Sequence, residues 1–201
     1  MMTGPDPRRV TDIYQTRTTT HLSTGIPVFD HLLSGGLTPA SLTLLGGSPG
    51  CGKSTLLTQL AGRWTTTGIS VLYVSAEEPA EAVTRRADRC RVAHCPVLDT
   101  TNLADVVDRV RATRPTLLLI DSLSIFGHSP KTLTLAIETL RSLIADTGVT
   151  IVALVQFTKQ QQMAGPNTLA HLADSILRVD TLTMAPIRRL AVHLIKHRFG
   201  P

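Results

Sequence analysis

Gly47-Ser48-Pro49-Gly50-Cys51-Gly52-Lys53-Ser54, followed by Thr55, matches the spacing G-x-x-x-x-G-K-[ST]. The residue types suit a polyphosphate. Glycines let successive backbone N–H groups turn inward around phosphate oxygens, and a helix starting at the end of the loop adds the positive end of its dipole. Lys53 is then placed to reach the β- and γ-phosphates, and the Ser54 hydroxyl to ligate Mg²⁺. The pattern needs a strand before it and a helix after it. The apolar Ser41 to Leu45 and the helical Leu56 to Trp64 supply them, so Gly47 to Thr55 is the expected cradle for ATP.

A cradle of this kind needs a second Mg²⁺ anchor. Leu117-Leu118-Leu119-Ile120 runs into Asp121. Four apolar residues ending in a carboxylate read as a central parallel strand that delivers Asp121 to the edge of the sheet where α/β folds bind ligands. Hydrolysis also needs a group that positions or deprotonates water. Glu77 and Glu78 follow Val71-Leu72-Tyr73-Val74-Ser75 and would project from that same edge. Glu77 is the preferred base, and an acidic first turn of the next helix is the other reading of the pair. Gln156 closes another apolar run, Val149 to Gln156. A buried amide there is costly without a partner, which a γ-phosphate or attacking water would supply. A loop-capping glutamine is the rival reading.

The elements that must hold these residues can be read from periodicity. Phe29, Leu32 and Leu33 fall on one face of a short helix that Gly35-Gly36 stops. Strands at Ser41 to Leu45, Ser70 to Ser75, Thr116 to Asp121 and Val149 to Gln156, with a weak one near Pro96 to Leu98, alternate with helical patterns. The helices are expected at Leu56 to Trp64, about Pro79 to Arg89, Leu103 to Thr113 and Lys131 to Asp146. Ser175 to Val179 and Ile187 to Ile195 are later strands, joined by a loop with Pro186. This alternation predicts a doubly wound, mostly parallel α/β sheet with helices on both faces. Residues 1–22, rich in Thr, Arg and Pro, read as a flexible arm, and 23–201 as one domain.

The bulk composition agrees. Of 201 residues, 42% are hydrophobic and only 3% aromatic, so the core must be aliphatic. No apolar run approaches the ~18 residues of a membrane span, and the N-terminus does not read as a signal peptide. Cys51, Cys90 and Cys95 form no paired framework and no second zinc-ligand pair. Free thiols in a reducing cytosol are expected, without zinc. The net charge of +5 permits a polyanionic partner without demanding one. Arg188, Arg189, Lys196 and Arg198 share the acid-free stretch from Thr181 to Pro201. That stretch is either a solvated basic edge or a surface that meets phosphate.

In order along the chain stand Ser23-Thr24-Gly25-Ile26-Pro27, Gly35-Gly36-Leu37, the phosphate loop, Tyr73-Val74-Ser75-Ala76-Glu77-Glu78 and Leu119-Ile120-Asp121-Ser122. Thr158-Lys159, Ala164-Gly165-Pro166, His171 with Asp174, and Lys196-His197-Arg198-Phe199-Gly200 follow. From Ser23 to Pro201 the chain thereby resembles the RecA-like ATPases, and most closely the ATPase core of the bacterial RadA/Sms DNA-repair family. The closing segment is similar to that family's K-N-R-F-G signature, with His at the second place.

The resemblance implies a sheet in which the Gln156 strand lies between the phosphate-loop strand and the Asp121 strand. It implies that Glu77 activates water for a P-loop ATPase. It further implies homo-oligomers, rings or filaments, with ATP at subunit boundaries, where Lys196 and Arg198 act on a neighbour's γ-phosphate. Loops at about Leu123 to Lys131 and Thr158 to Asn167 would face single-stranded or branched DNA, with Lys131 and Lys159 as the candidate contacts. Residues 1–22 carry no cysteine, so the family's four-cysteine zinc module is not expected in them, and the roles of that module and of the family's Lon-like domain are not carried over. Gln156 stands where the RadA pattern has His, and in this it is closer to the Gln sensors of RecA itself. The expected function is a DNA-dependent, Mg²⁺-dependent ATPase of recombination or repair. The alternatives are a KaiC-like or gas-vesicle-type oligomeric regulator acting through protein contacts, and a nucleotide-bound structural oligomer. DNA-stimulated turnover discriminates among them.

Overall fold

The structure, a computed structural model, describes residues 20–127, 129–156, 171–184 and 187–200. Pro186, Lys159 and the stretch Thr158 to Asn167 lie outside them.

Each predicted element is present, with most ends moved by three residues or fewer; the strand expected at Ser175 to Val179 runs on to Met184. Helix α1 (Pro27–Leu32) leads to β1 (Leu42–Gly47), α2 (Lys53–Thr66), β2 (Val71–Ser75), α3 (Ala80–Cys90) and β3 (Val97–Asp99). Helix α4 (Leu103–Thr113), β4 (Leu117–Asp121), a 3-10 turn (Leu123–Phe126), α5 (Pro130–Thr147) and β5 (Thr150–Gln156) follow. The chain then forms β6 (Ser175–Met184) and β7 (Ile187–His197). Part of the expected loop at Leu123 to Lys131 is therefore ordered: Leu123 is fully buried, which pins that turn against the core. Pro79 is the N-cap of α3 rather than a residue of its first turn.

The seven strands are ordered β3-β2-β4-β5-β1-β6-β7. The pairs among β3, β2, β4, β5, β1 and β6 are parallel, and β7 returns antiparallel on β6. β5 thus lies between β4 and β1, as the resemblance implies. Alternation splits the core into two layers. Leu44, Val74, Leu118, Ile120, Ile151 and Ala153 face α4 and α5. Leu45, Tyr73, Leu117, Leu119, Leu154 and Val179 face α1, α2 and α3. Central strands covered on both faces must be apolar throughout, which is why β4 reads as an unbroken aliphatic run.

Leu22 exchanges backbone hydrogen bonds with Leu37 (2.8 and 2.9 Å), and the buried Trp64 indole donates to the Ser23 carbonyl at 2.7 Å. Asp30 accepts from Ser23 Oγ and from the Thr24 amide and hydroxyl at 2.6–2.8 Å. The three cysteines are free thiols. Burial pushes the Cys95 thiol up to about 11. Among the described residues, no helix is long and apolar enough to cross a membrane.

Candidate functional site

The C-terminal ends of β1, β2, β4 and β5 converge on one edge of the sheet. The phosphate-loop motif leaves β1 there, with Gly50 and Gly52 at positive φ (72° and 105°) and Gly52 as the N-cap of α2. A left-handed N-cap turns the chain sharply enough to aim the first amides of α2 back at the loop. Gly47 is required for a different reason. A Cβ on it would fall onto the Val179 carbonyl oxygen and 2.8 Å from Cys51 Sγ. The loop is also braced from the far side, where Thr181 of β6 donates to the Cys51 carbonyl at 3.2 Å. The Lys53 ammonium lies across the loop and donates to the Gly47 and Ser48 carbonyls, both at 2.9 Å. It stands at the mouth of the cradle.

Asp121 arrives on β4, 4% exposed. Burial pushes its carboxyl above the usual carboxylate range, against the opposing pull of the Tyr73 and Ser54 hydroxyls and of Arg86. Tyr73 donates to Asp121 Oδ2 at 2.8 Å. Its own phenol is driven far up, first by burial and then by the Asp121 charge. Asp121 and Ser54 form an all-oxygen set beside the loop, the donor type a hard cation such as Mg²⁺ takes.

The two glutamates after β2 part company. Glu78 is engaged by Arg86 of α3, with side chains 32% and 10% exposed. Burial alone would push Arg86 down, but the Glu78 contact, with Tyr73 and Asp121 adding, holds it above its ordinary value. Glu77 is exposed, and its carboxylate accepts from Ser122, which also meets Ser124 Oγ at 2.6 Å. Glu77 therefore hangs over the residue next to Asp121 and remains open to solvent.

Gln156 corrects one expectation. It is paired with Gly47 across the β5–β1 ladder, at the mouth of the cradle, but it is exposed, not buried. The burial argument for a partner fails because the strand's last residue already overhangs the sheet edge. Lys131 is exposed in the first turn of α5, at the same edge.

Lys196 and Arg198 stand at the opposite edge. Because β7 runs antiparallel, its last residues pair with the start of β6, whereas the cradle leaves the end of β1. Arg198 donates to Asp174 Oδ1 at 3.1 Å, and Lys196 to the Ala173 carbonyl at 2.7 Å. Asp174 is itself buried, accepts from the Leu42 amide at 3.0 Å and lies 3.6 Å from Arg141. Burial, then Arg198 and Arg141, lower the Lys196 ammonium, with Asp174 opposing.

Sequence reasoning passed over Tyr73, Arg86, Ser122, Ser124 and Thr181 as site residues. Only Tyr73 carried a usable signal, since a phenol in a strand apolar on both sides needs a buried acceptor.

A phosphate loop between β1 and α2 of a RecA-ordered sheet, with an acid ending the strand two places away, defines a P-loop NTPase domain. Comparison with known proteins narrows the class: residues 7–162 match the family model described as an AAA domain, and the chain belongs to that family. It is 33% identical to the DNA repair protein RadA of Mycobacterium tuberculosis over 98% of this chain and 42% of that protein. Its identity to the RadA of Listeria monocytogenes is 32% over 97% of this chain and 45% of that protein. The chain thus spans less than half the length of these relatives. Among solved structures, a KaiC-like protein from Pyrococcus horikoshii superposes with a TM-score of 0.69 at 20% identity, covering 89% of each chain. That likeness shows the fold.

Proposed function

We propose that this domain binds ATP with Mg²⁺ at Gly47 to Thr55 and hydrolyses it, in the service of DNA repair. The observation that carries the reading is the convergence, at one sheet edge, of a phosphate loop, a buried Asp121 and a solvent-open Glu77. In the nucleotide complex the loop amides and Lys53 bind the phosphates, and Lys53 exchanges its two carbonyl partners for phosphate oxygens. Ser54 and Asp121 hold the cation, which supplies charge neutralisation along the phosphate chain. Glu77, steadied by Ser122, takes the proton of the attacking water, while Glu78 serves the Arg86 ion pair. Gln156 is positioned to orient the water or sense the γ-phosphate.

The DNA part rests on the RadA relatives, which are named for DNA repair, and on a cation, Lys131, exposed at the nucleotide edge. Lys159 is the second candidate contact. Oligomers with ATP at subunit boundaries belong to the same reading, with Lys196 and Arg198 serving a neighbour.

The deciding experiment is the ATPase rate of the parent and of Lys53→Ala, with and without single-stranded DNA. Turnover that needs Lys53 and rises with DNA supports the whole reading. Turnover indifferent to DNA retains the ATPase and removes the DNA coupling, and no loss in Lys53→Ala removes both.

A further inference from the structure

The Asp121 carboxylate has a partner that the hydrolytic scheme leaves without a task. The Tyr73 ring is fully buried and its hydroxyl reaches Asp121 Oδ2 at 2.8 Å. The sheet fixes this meeting. Tyr73 sits opposite Leu119 in the β2–β4 ladder, and Asp121 follows two residues later on the same face, so a ring leaning along the strand arrives at the carboxylate. From above, α3 lowers Arg86 onto the pair, close enough for its charge to act on both groups, while Glu78 holds the guanidinium. Phenylalanine would fill the same ring-shaped space. The hydroxyl is what tyrosine adds here, and it is spent on the carboxylate.

We propose that Tyr73 is a positioning residue for the divalent cation that accompanies the nucleotide, a reading that rests on Asp121 serving that cation. A carboxylate turns readily about its last torsion, whose minima are broad. A donor fixed in a packed core holds Oδ2 in place, sets the plane of the group and determines how Asp121 meets the metal side of the site. Groups behind a metal's direct ligands are typically worth ~10–100-fold in metal affinity.

The test is Tyr73→Phe in the full chain, with ADP affinity measured by calorimetry in EDTA and across a Mg²⁺ series. In EDTA the variant should bind ADP as the parent does. The Mg²⁺ concentration that gives half of the metal-dependent gain should rise about tenfold, the lower end of that range, and excess Mg²⁺ should restore full affinity. An unchanged Mg²⁺ midpoint overturns the proposal, and so does an equal loss of affinity in EDTA, because a purely structural role would act with or without metal. A parent whose ADP affinity ignores Mg²⁺ overturns the underlying reading of Asp121, a result that cannot be confused with the first. A second measurement keeps the Tyr73 hydroxyl in place. Tyr14 and Tyr73 are the chain's two tyrosines, and both can be replaced by 3-fluorotyrosine, with Tyr14→Phe assigning the signals. Adding Mg²⁺ to the ADP complex should move the Tyr73 fluorine resonance, and a resonance that stays put overturns the proposal.

Discussion

Arg86 reaches back from the second turn of α3 to the Glu78 carboxylate, just ahead of that helix. The contact separates two glutamates that are adjacent in sequence and alike in type. Glu78 neutralises the buried Arg86, a residue only 9% exposed, whereas Glu77 accepts from Ser122 and, at 3.5 Å, from Ser124, and is exposed. The proposed mechanism accordingly gives the chemistry to Glu77 and leaves a stabilising role to Glu78.

Glu77→Gln should keep nucleotide affinity and lose turnover by ~10²–10⁴-fold, the usual worth of a positioned base. Glu78→Gln should act the other way. Removing one charge of a buried pair costs ~3–5 kcal/mol, and here about 1–3 kcal/mol is expected, because Glu78 is partly solvated and an amide still accepts a hydrogen bond. Thermal melts and single-turnover rates on both variants check the division. A stable Glu78→Gln protein without activity would reverse the assignment.

Ser122→Ala removes the hydroxyl that steadies Glu77 and leaves Ser124 Oγ at 3.5 Å as a weaker substitute. Turnover should fall by roughly tenfold, as expected for the loss of about 1.4 kcal/mol of orientation, with nucleotide affinity and melting temperature little changed. A parallel fall in affinity would place Ser122 in binding.

The order of elements was legible because the aliphatic runs differ in kind from the amphipathic ones: β4 is apolar up to Asp121, and α4 buries Val106 and Val110, a turn apart, while Asp105, Asp108, Arg109 and Arg111 interrupt its apolar residues. The phosphate loop and Asp121 were legible because their spacing has a mechanism. What escaped the sequence is contact between elements. That Arg86 would choose Glu78, or that Tyr73 would point at Asp121, depends on the ladder register and on how α3 packs, and neither is encoded locally. Gln156 shows the reverse error, an apolar run suggesting burial for a residue that overhangs the edge.

Gly47→Ala should be the most damaging single methyl in the loop. Its Cβ meets the Val179 carbonyl of the neighbouring strand and the Cys51 thiol, so β1 and β6 must part or the loop must move, at ~1–3 kcal/mol. Gly50→Ala meets nothing within 4 Å but carries φ +72°, so it pays only the left-handed backbone cost of ~1–2 kcal/mol. Melting temperature should fall in both variants, and nucleotide affinity more in Gly47→Ala. Equal affinities in the two would mean that the β1–β6 contact does not shape the cradle.

If DNA meets this edge, the grip is electrostatic, since a chain with 3% aromatics has few rings for base stacking. Lys131→Ala should lower the salt dependence of log K by about one unit for the phosphate contact it gives up. Lys159→Ala is the companion variant. Affinity that ignores salt from low to physiological ionic strength would rule out this mode of binding.

Arg198 offers the sharpest test of assembly. It is tied to Asp174 at the end of the sheet away from the cradle, across the roughly 17 Å that a six-residue strand such as β1 spans. It therefore cannot serve the phosphates of its own chain without refolding β7. Either it is a structural clamp on Asp174, or it works on a neighbour's nucleotide after giving up that partner. Arg141, 3.6 Å from Asp174 Oδ1, could then keep the acid compensated. The two roles part on measurement. A clamp predicts that Arg198→Ala lowers the melting temperature, because Asp174 loses a charge-assisted bond, and that turnover falls only as far as the fold does. A donated cation predicts near-intact ATP binding and a loss of turnover approaching ~10³–10⁵-fold. It also predicts partial rescue on mixing Arg198→Ala with Lys53→Ala subunits, since one interface in the mixture joins an intact loop to an intact arginine. Mixed oligomers that stay inactive, or a monomer that hydrolyses ATP without Arg198, would leave the clamp as its role.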